Sequence, residues 1–153
     1  MVLEGVRVLA VEQYGAGPYG SMLLAELGAE VIKIEAPSMG GDVSRSVGPY
    51  FLGEGDSQFF QTFSRNKKSV ALEIKTEKGR TEFEKLVKSA DAVINNLRGD
   101  QPTKLRITFP DLRDINPRIV CAHLSAYGRD NERAAWPGYD YLMQAEAGFM
   151  SVT

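Results

Sequence analysis

The stretch from Val6 to Pro37, VRVLAVEQYGAGPYGSMLLAELGAEVIKIEAP, reads as strand, turn, helix and strand, and it restricts the fold more than any other part of the chain. Val6, Val8, Leu9, Ala10 and Val11 form an apolar run with few polar interruptions, as in a strand buried on both faces of a parallel sheet. Glu12 to Gly17 break that run with two glycines. Pro18 suits the first position of a helix, because its φ is fixed and it has no N–H to leave unbonded. Tyr19, Met22, Leu23, Ala25, Glu26 and Leu27 continue at helical spacing to Gly28, a natural left-handed stop, and Val31, Ile32 and Ile34 make the next strand. Parallel strands joined by a short crossover form a right-handed unit, and its functional loop lies at the carboxyl end of the first strand.

That loop admits more than one reading. Gly15-Ala16-Gly17-Pro18-Tyr19-Gly20 matches the G-x-G-x-x-G pattern of dinucleotide sites, and Glu35 stands at about the offset of the acid that holds the ribose. Two details weigh against NAD. Glu12, Gln13 and Tyr14 separate the strand from the first glycine, and Pro18 removes an amide that a pyrophosphate would use. A glycine turn needed only to reverse the chain is the plainer alternative.

The rest of the chain repeats the alternation. Ser38 to Arg65 is rich in Gly, Ser and Pro but carries Tyr50, Phe51, Phe59, Phe60 and Phe63, which predicts an ordered loop with a short helix around Ser57 to Phe63. Arg65, Lys67 and Lys68 then concentrate positive charge before a strand from Ser69 to Glu73; they read either as a solvated charge run or as a site for phosphates. Thr76 is a good N-cap, Glu77 favours the first turn, and Phe83, Leu86, Val87 and Ala90 give the following helix one apolar stripe. Ala92 to Ile94 make a strand ending at Asn95-Asn96, which places Asn96 at the same sheet edge as Gln13 to Gly17. Phe109 to Ile115 reads as a short helix and Ile119 to Ser125 as a strand containing Cys121, an expected inert buried thiol, and His123, an expected core or sheet-face residue. With no second histidine and no cysteine cluster, no metal site is expected. After a polar loop from Tyr127 to Pro137, a helix starts at Gly138-Tyr139-Asp140 and runs through Gln144 and Ala147. The expected fold is α/β: a Rossmann-like open, mostly parallel sheet with helices on both faces and strands starting at Val6, Val31, Ser69, Ala92 and Ile119.

Composition sets outer bounds. At 153 residues the chain fits one domain, and 43% hydrophobic residues, 25% charged residues and a net charge of −2 give no sign of a nucleic-acid or membrane partner. The single cysteine excludes an internal disulfide, and no N-terminal apolar segment is long enough for a signal peptide or membrane span, so a cytoplasmic location is expected.

An ordered series of motifs adds to this reading. AGPYGSMLLAELGAEVIKIEAP from Ala16, the Gly41-Asp42 pair with Arg45, Arg65-Asn66-Lys67-Lys68-Ser69-Val70-Ala71-Leu72-Glu73-Ile74-Lys75, Ala90-Asp91-Ala92-Val93-Ile94-Asn95-Asn96, Ile115-Asn116-Pro117-Arg118 and Pro137-Gly138-Tyr139-Asp140 together cover nearly the whole chain. In that order they resemble the opening of the family III CoA-transferases, which include formyl-CoA and carnitine-CoA transferases and the related α-methylacyl-CoA racemases. The resemblance implies a CoA thioester and a carboxylic acid as substrates, with coenzyme A or acyl-CoA not permanently bound, and a homodimer in the full-length protein. It assigns cofactor contacts to Gly15, Ala16, Leu72, Lys75, Asn96 and Lys104, and an accessory acid to Asp140. The family's nucleophilic aspartate lies past the segment that matches Gly148 to Thr153, so residues 1–153 are expected to be a single N-terminal CoA-binding portion of the large domain, without the second domain and the C-terminal return. Such a portion is expected to self-associate, to bind CoA weakly and not to transfer it.

Several departures from the family pattern shape the expectation. Leu97-Arg98-Gly99-Asp100-Gln101-Pro102 stands where relatives have an aromatic residue and a Pro-Gly pair, which weakens a contact to adenine. Lys104 replaces a common arginine and keeps a phosphate charge without bidentate geometry. Gly15 falls where formyl-CoA transferases have a glutamine, which disfavours a formyl or oxalate substrate. Tyr139 stands where racemases carry a basic histidine, which favours transfer over racemisation. An acyl-CoA racemase relative and a non-catalytic α/β nucleotide-binding domain remain the alternatives.

Overall fold

The computed structural model describes residues 1–153. Its core is a five-stranded sheet built from β1 (Arg7–Val11), β2 (Glu30–Glu35), β5 (Lys67–Ala71), β6 (Ala92–Asn95) and β7 (Val120–His123), in the spatial order β5-β2-β1-β6-β7. Every neighbouring pair is parallel; Val8 lies opposite Val31 on one side and Ala92 on the other. β1 is therefore the central strand, and its burial on both faces explains the unbroken apolar run that marks it in the sequence. The chain builds outward from β1 through β2 to β5, then returns to β6 and β7, so the strand order reverses between β1 and β6. In open α/β sheets ligands bind outside the carboxyl ends at such a reversal.

Alternation along the strands divides the core. One face carries Leu9, Val11, Ile32, Ile34 and Val93 and packs against Phe83 and Val87 of α3 (Glu77–Val87) and Leu112 of α5 (Phe109–Leu112), with Ile107 and Ile119 closing the layer. Phe83, Val87, Ile107 and Leu112 are fully excluded from water, and each such side chain contributes about 1.5–3 kcal/mol by burial. The other face carries Val8, Ala10 and Val31 beneath Ala25 of α1 (Ala16–Glu26), with Ala29 alongside. Beyond Ala10 and Val31 on that face, at the carboxyl ends, stand Glu12, Lys33 and Glu35.

The elements follow the sequence with identifiable shifts. α1 begins at Ala16, so Pro18 occupies its third position, still among the first four residues whose amides have no intrahelical acceptor. Ser38 to Arg65 folds into a small hairpin, β3 (Phe51–Gly53) with β4 (Asp56–Ser57), and a helix α2 (Gln58–Ser64) whose first turn is capped by the Ser57 hydroxyl accepting from the Phe60 amide. β5 starts at Lys67, two residues earlier than expected: Lys67 and Lys68 pair with Val31 and Ile32, and the Lys67 side chain turns inward to Glu12. Thr76 caps α3 by accepting from the Gly79 amide, as its position before the apolar stripe suggests. The short helix α4 (Gln101–Lys104) follows β6, and α6 (Asp140–Glu146) follows the long segment after β7. No helix is long and apolar enough to cross a membrane.

Candidate active-site edge

Parallel pairing brings the carboxyl ends of all five strands to one edge, and the segments that follow them carry every candidate residue. Gly15 and Ala16 follow β1, Leu72 and Lys75 follow β5, Asn96 and Lys104 follow β6, and Asp140 follows β7. β5 and β6 are three strand spacings apart, about 14 Å, so these residues suit an extended ligand lying across the edge rather than a compact one.

The centre of the edge is the loop from Gln13 to Gly17. The Asn96 side chain grips its backbone from the β6 side: Oδ1 accepts from the Gln13 amide at 2.9 Å and Nδ2 donates to the Gln13 carbonyl at 2.8 Å. This reciprocal pair fixes the orientation of the Asn96 amide and uses both of its groups. Gly17 permits the approach, since a Cβ there would lie 2.7 Å from Asn96 Oδ1. From the β2 side, the Val43 amide donates to Gln13 Oε1 at 2.9 Å and the Tyr14 amide donates to Asp42 Oδ1 at 2.9 Å. Gly15 sits at the N-terminal boundary of α1, where no side chain caps the helix, and Ala16 is exposed at its first position.

Beneath this loop lies a set of buried ions that the sequence reading does not contain. Lys33 Nζ is 2.6 Å from Asp42 Oδ2 and 3.4 Å from Glu12 Oε1, and Lys67 Nζ is 2.9 Å from the same Glu12 oxygen; none of these four side chains is more than 2% exposed. Lys67 also donates to the Pro18 carbonyl, and the Ser21 hydroxyl donates to Glu12 Oε1, which leaves Glu12 Oε2 buried without a partner. Burial pushes the Lys67 ammonium below its usual range against the pull of Glu12. Burial would raise the Asp42 carboxyl, but the Lys33 charge and the bonds from Lys33, Tyr14 and Ser44 outweigh it and hold the group ionised. A second pair adjoins: Arg45 donates to both Glu35 oxygens at 2.7 and 2.8 Å, with Ser69 Oγ and the Asp42 amide also donating to Glu35. Burial works against the Glu35 charge, yet those four donors bring its carboxyl down to about 2. Gly41, at φ +89°, admits this packing; a Cβ there would lie 2.7 Å from Glu35 Oε2.

The signal for this network is present in VIKIE. Lys33 and Glu35 share one face of a strand whose neighbours are apolar, and a parallel strand buried on both faces must pair such charges internally. The charge cluster before β5 meets partners within the chain: Arg65 pairs with Glu26, Lys67 with Glu12 and Lys68 with Glu30. Lys67 is enclosed and out of reach of a phosphate, whereas Arg65 and Lys68 stand in exposed pairs.

The other candidates differ in how firmly they are held. Leu72 is half-buried against the core, its amide donating to the Glu35 carbonyl at 2.8 Å, while Lys75 is exposed. Lys104 Nζ lies 2.6 Å from Asp100 Oδ2, and its hydrogen bond holds that carboxyl below the usual range. Asp140 is exposed at the start of α6, where it accepts from Gln144 Nε2 at 2.6 Å. Its side chain has no bond to the Gln13–Gly17 loop. Cys121 is half-buried rather than enclosed, and burial, with Asp111 nearby, pushes its thiol up to about 11, so it is a poor nucleophile. His123 Nδ1 lies 2.6 Å from Asn95 Nδ2, which donates to it, and burial lowers the ring's basicity.

Comparison with known proteins identifies the family and agrees with the fold. The family model described as CoA-transferase family III matches residues 3–153. Succinate–glutarate CoA-transferase of Agrobacterium fabrum is 35% identical over 99% of this chain and 39% of its own length. Succinyl-CoA:mesaconate CoA-transferase of Haloarcula hispanica is 36% identical over 99% of this chain and 39% of its own length. The crystal structure of a CAIB/BAIF family protein from Brucella suis superposes with a TM-score of 0.87 at 33% identity, covering 99% of this chain and 40% of that one. The chain thus spans well under half the length of the relatives it matches.

Proposed function

Because this chain belongs to CoA-transferase family III, we propose that it is the N-terminal, CoA-binding portion of an enzyme that moves CoA between carboxylic acids. The transfer proceeds through an aspartyl-CoA thioester, and the nucleophilic aspartate is not among residues 1–153. The whole enzyme works as a homodimer. The observation that carries the reading is the meeting of the Gln13–Gly17 loop and Asn96 at the strand-order reversal, the place where an α/β sheet receives its ligand.

Each residue has a part that its surroundings support. Gly15 and Ala16 offer uncrowded backbone at the start of α1, where a Cβ on Gly15 would meet nothing within 4 Å, and they receive the thioester end of the ligand. Lys75 and Lys104 supply charge to the phosphates. Lys104 exchanges Asp100 for a phosphate oxygen, since an ion pair open to solvent gives way easily. Leu72 lends an apolar edge. Asn96 has both amide groups engaged by Gln13, so its side chain serves CoA by holding the loop. Asp140 is an accessory acid that positions substrate and is not itself acylated.

The test is thermal unfolding of the chain with millimolar CoA or NAD, followed by incubation with succinyl-CoA and glutarate and trapping with hydroxylamine. CoA is expected to raise the melting temperature and NAD to leave it unchanged. No hydroxamate and no turnover are expected, because loss of the nucleophile removes the covalent route as a whole. Protection by NAD equal to that by CoA, or a modified Asp140 with turnover, would overturn the reading.

A further inference from the structure

Tyr14 is the one residue of the Gln13–Gly17 loop that combines a side chain with a left-handed backbone, at φ 67°. L residues other than glycine persist in that region only where the surroundings determine it. Its amide donates to Asp42 Oδ1 at 2.9 Å. Asp42 is in turn among the most constrained side chains in the molecule. Oδ1 also accepts from the amide and hydroxyl of Ser44, Oδ2 is paired with Lys33, and the Asp42 amide is tied to Glu35.

Holding β2 against β1 does not require this arrangement. Replacing a buried ion pair by apolar side chains of the same volume is often neutral or stabilising, because desolvation of two charges offsets most of their attraction. What an apolar pair lacks is an oxygen at a fixed point beneath the Tyr14 N–H. Lys33 stands on the body of the sheet and has little freedom, since Asp42 and the Glu12 carbonyl and carboxylate surround its ammonium. Asp42 thus transmits the rigidity of the sheet to the loop on one side as Asn96 does on the other. We infer that Asp42, braced by Lys33, is a positioning residue for the CoA site: it sets the Tyr14 amide and with it the Gly15–Ala16 backbone that receives the thioester. This inference rests on the CoA-transferase reading above.

The experiment separates the oxygen at position 42 from the ion pair that carries it. Two double variants remove the ions equally: Lys33→Met with Asp42→Asn keeps an acceptor for Tyr14, and Lys33→Met with Asp42→Ala does not. Amide exchange at Tyr14 and CoA affinity, both by NMR on labelled chain at millimolar CoA, are the readouts, with Leu9 and Val93 amides reporting on the sheet. Expected is Tyr14 exchange within about threefold of the parent for the Asn double and at least tenfold faster for the Ala double. The CoA dissociation constant should stay near the parent value in the first and rise at least fivefold in the second. Should the Ala double lose sheet protection, Lys33→Met with Asp42→Val fills the same space without an acceptor and takes its place. Equal exchange in the two doubles, or equal CoA affinity despite a tenfold difference in exchange, overturns the inference. No CoA binding by the parent, with the two doubles still tenfold apart at Tyr14, overturns instead the CoA reading on which the inference rests.

Discussion

Gln13 and Asp140 follow different strands to the same edge of the sheet, but their surroundings are opposites. The Gln13 loop is held by Asn96, Val43 and Asp42 and stands over four salt-bridged side chains that solvent scarcely reaches. Around Asp140 the bonds are local: Gln144 four residues on, Arg133 with Glu146, and Tyr139 stacked on Tyr141 at 5.6 Å. No residue of α6 is buried, and Trp136, Tyr139, Tyr141, Phe149 and Met150 are all substantially exposed. One region is fixed by long-range contacts that draw on β1, β2, β5 and β6; the other takes its form from its own turns. Geometry in the first is therefore a property of the whole sheet, whereas in the second it is open to whatever packs on it.

The most direct way to break this contrast is to remove the charge at the centre of the held region. Lys33→Met leaves Asp42 without its counterion and takes one of two ammonium groups from Glu12. Breaking a buried pair from one side costs about 3–5 kcal/mol, a large share of the stability of a domain this size. Urea unfolding is expected to show that loss or no cooperative transition. A loss below about 1 kcal/mol would mean that water reaches these ions and that the two regions are less different than they look.

Acid should separate the regions next. The Glu35 carboxyl lies at about 2, below its ordinary 4.5, so its contribution is fully present above about pH 4.5 and is lost as pH falls toward 2. A shift of that size corresponds to at most about 3 kcal/mol. Stability of the parent should fall across that window, and Glu35→Gln should flatten the fall while lowering stability at neutral pH. A parent curve that is already flat between pH 5 and 3 would count against the Arg45–Glu35 pair as a fixture of the fold.

How much of this could be read beforehand follows from the range of each interaction. The five strands, the capped α3 and a short helix around Ser57 to Phe63, found at Gln58–Ser64, were legible because propensity, capping and apolar spacing act over a few residues. The edge position of Asn96 was legible too, since topology alone delivers it. The start of β5 was misplaced because Lys67 looks like a solvent residue until Glu12, 55 positions away, is seen to receive it. Of the Glu12–Lys33–Asp42 set only Lys33 announces itself, as a charge within a buried strand; which groups receive it depends on Glu12 and Asp42, which only the fold brings to it. Asp140, by contrast, stands where the helix pattern places it, and its role remains a matter of family resemblance.

Gly17→Ala tests the held region more gently. The added methyl would sit 2.7 Å from Asn96 Oδ1, so either the loop or the asparagine must shift and both Gln13 bonds suffer. Overpacking of this kind costs about 1–3 kcal/mol. Calorimetry should show the loss, and CoA protection should vanish with it. Full stability with CoA protection intact would show that Asn96 is not a clamp.

The smallest effect is expected at Asp140→Asn, and it is the sharpest check on the other half of the comparison. The side chain has two local contributions in the folded chain. It accepts from Gln144 at an i,i+4 spacing, an interaction worth about 0.2–0.5 kcal/mol. Its charge also stands in the first turn of α6, where a carboxylate favours the helix dipole by about 0.3–1 kcal/mol in the most favourable exposed case. Asparagine keeps an acceptor for Gln144 and gives up the charge, so most of the first contribution survives and part of the second is lost. The net change should lie below about 1 kcal/mol and should shrink further in added salt, because an exposed charge is screened. Because no residue of α6 is fully buried, unfolding this segment should pull little on the sheet, and the urea midpoint of the main transition should match that of the parent. A loss above about 1.5 kcal/mol that persists in salt would show that Asp140 has a partner in the body of the domain, and that the segment after β7 is held as firmly as the loop after β1.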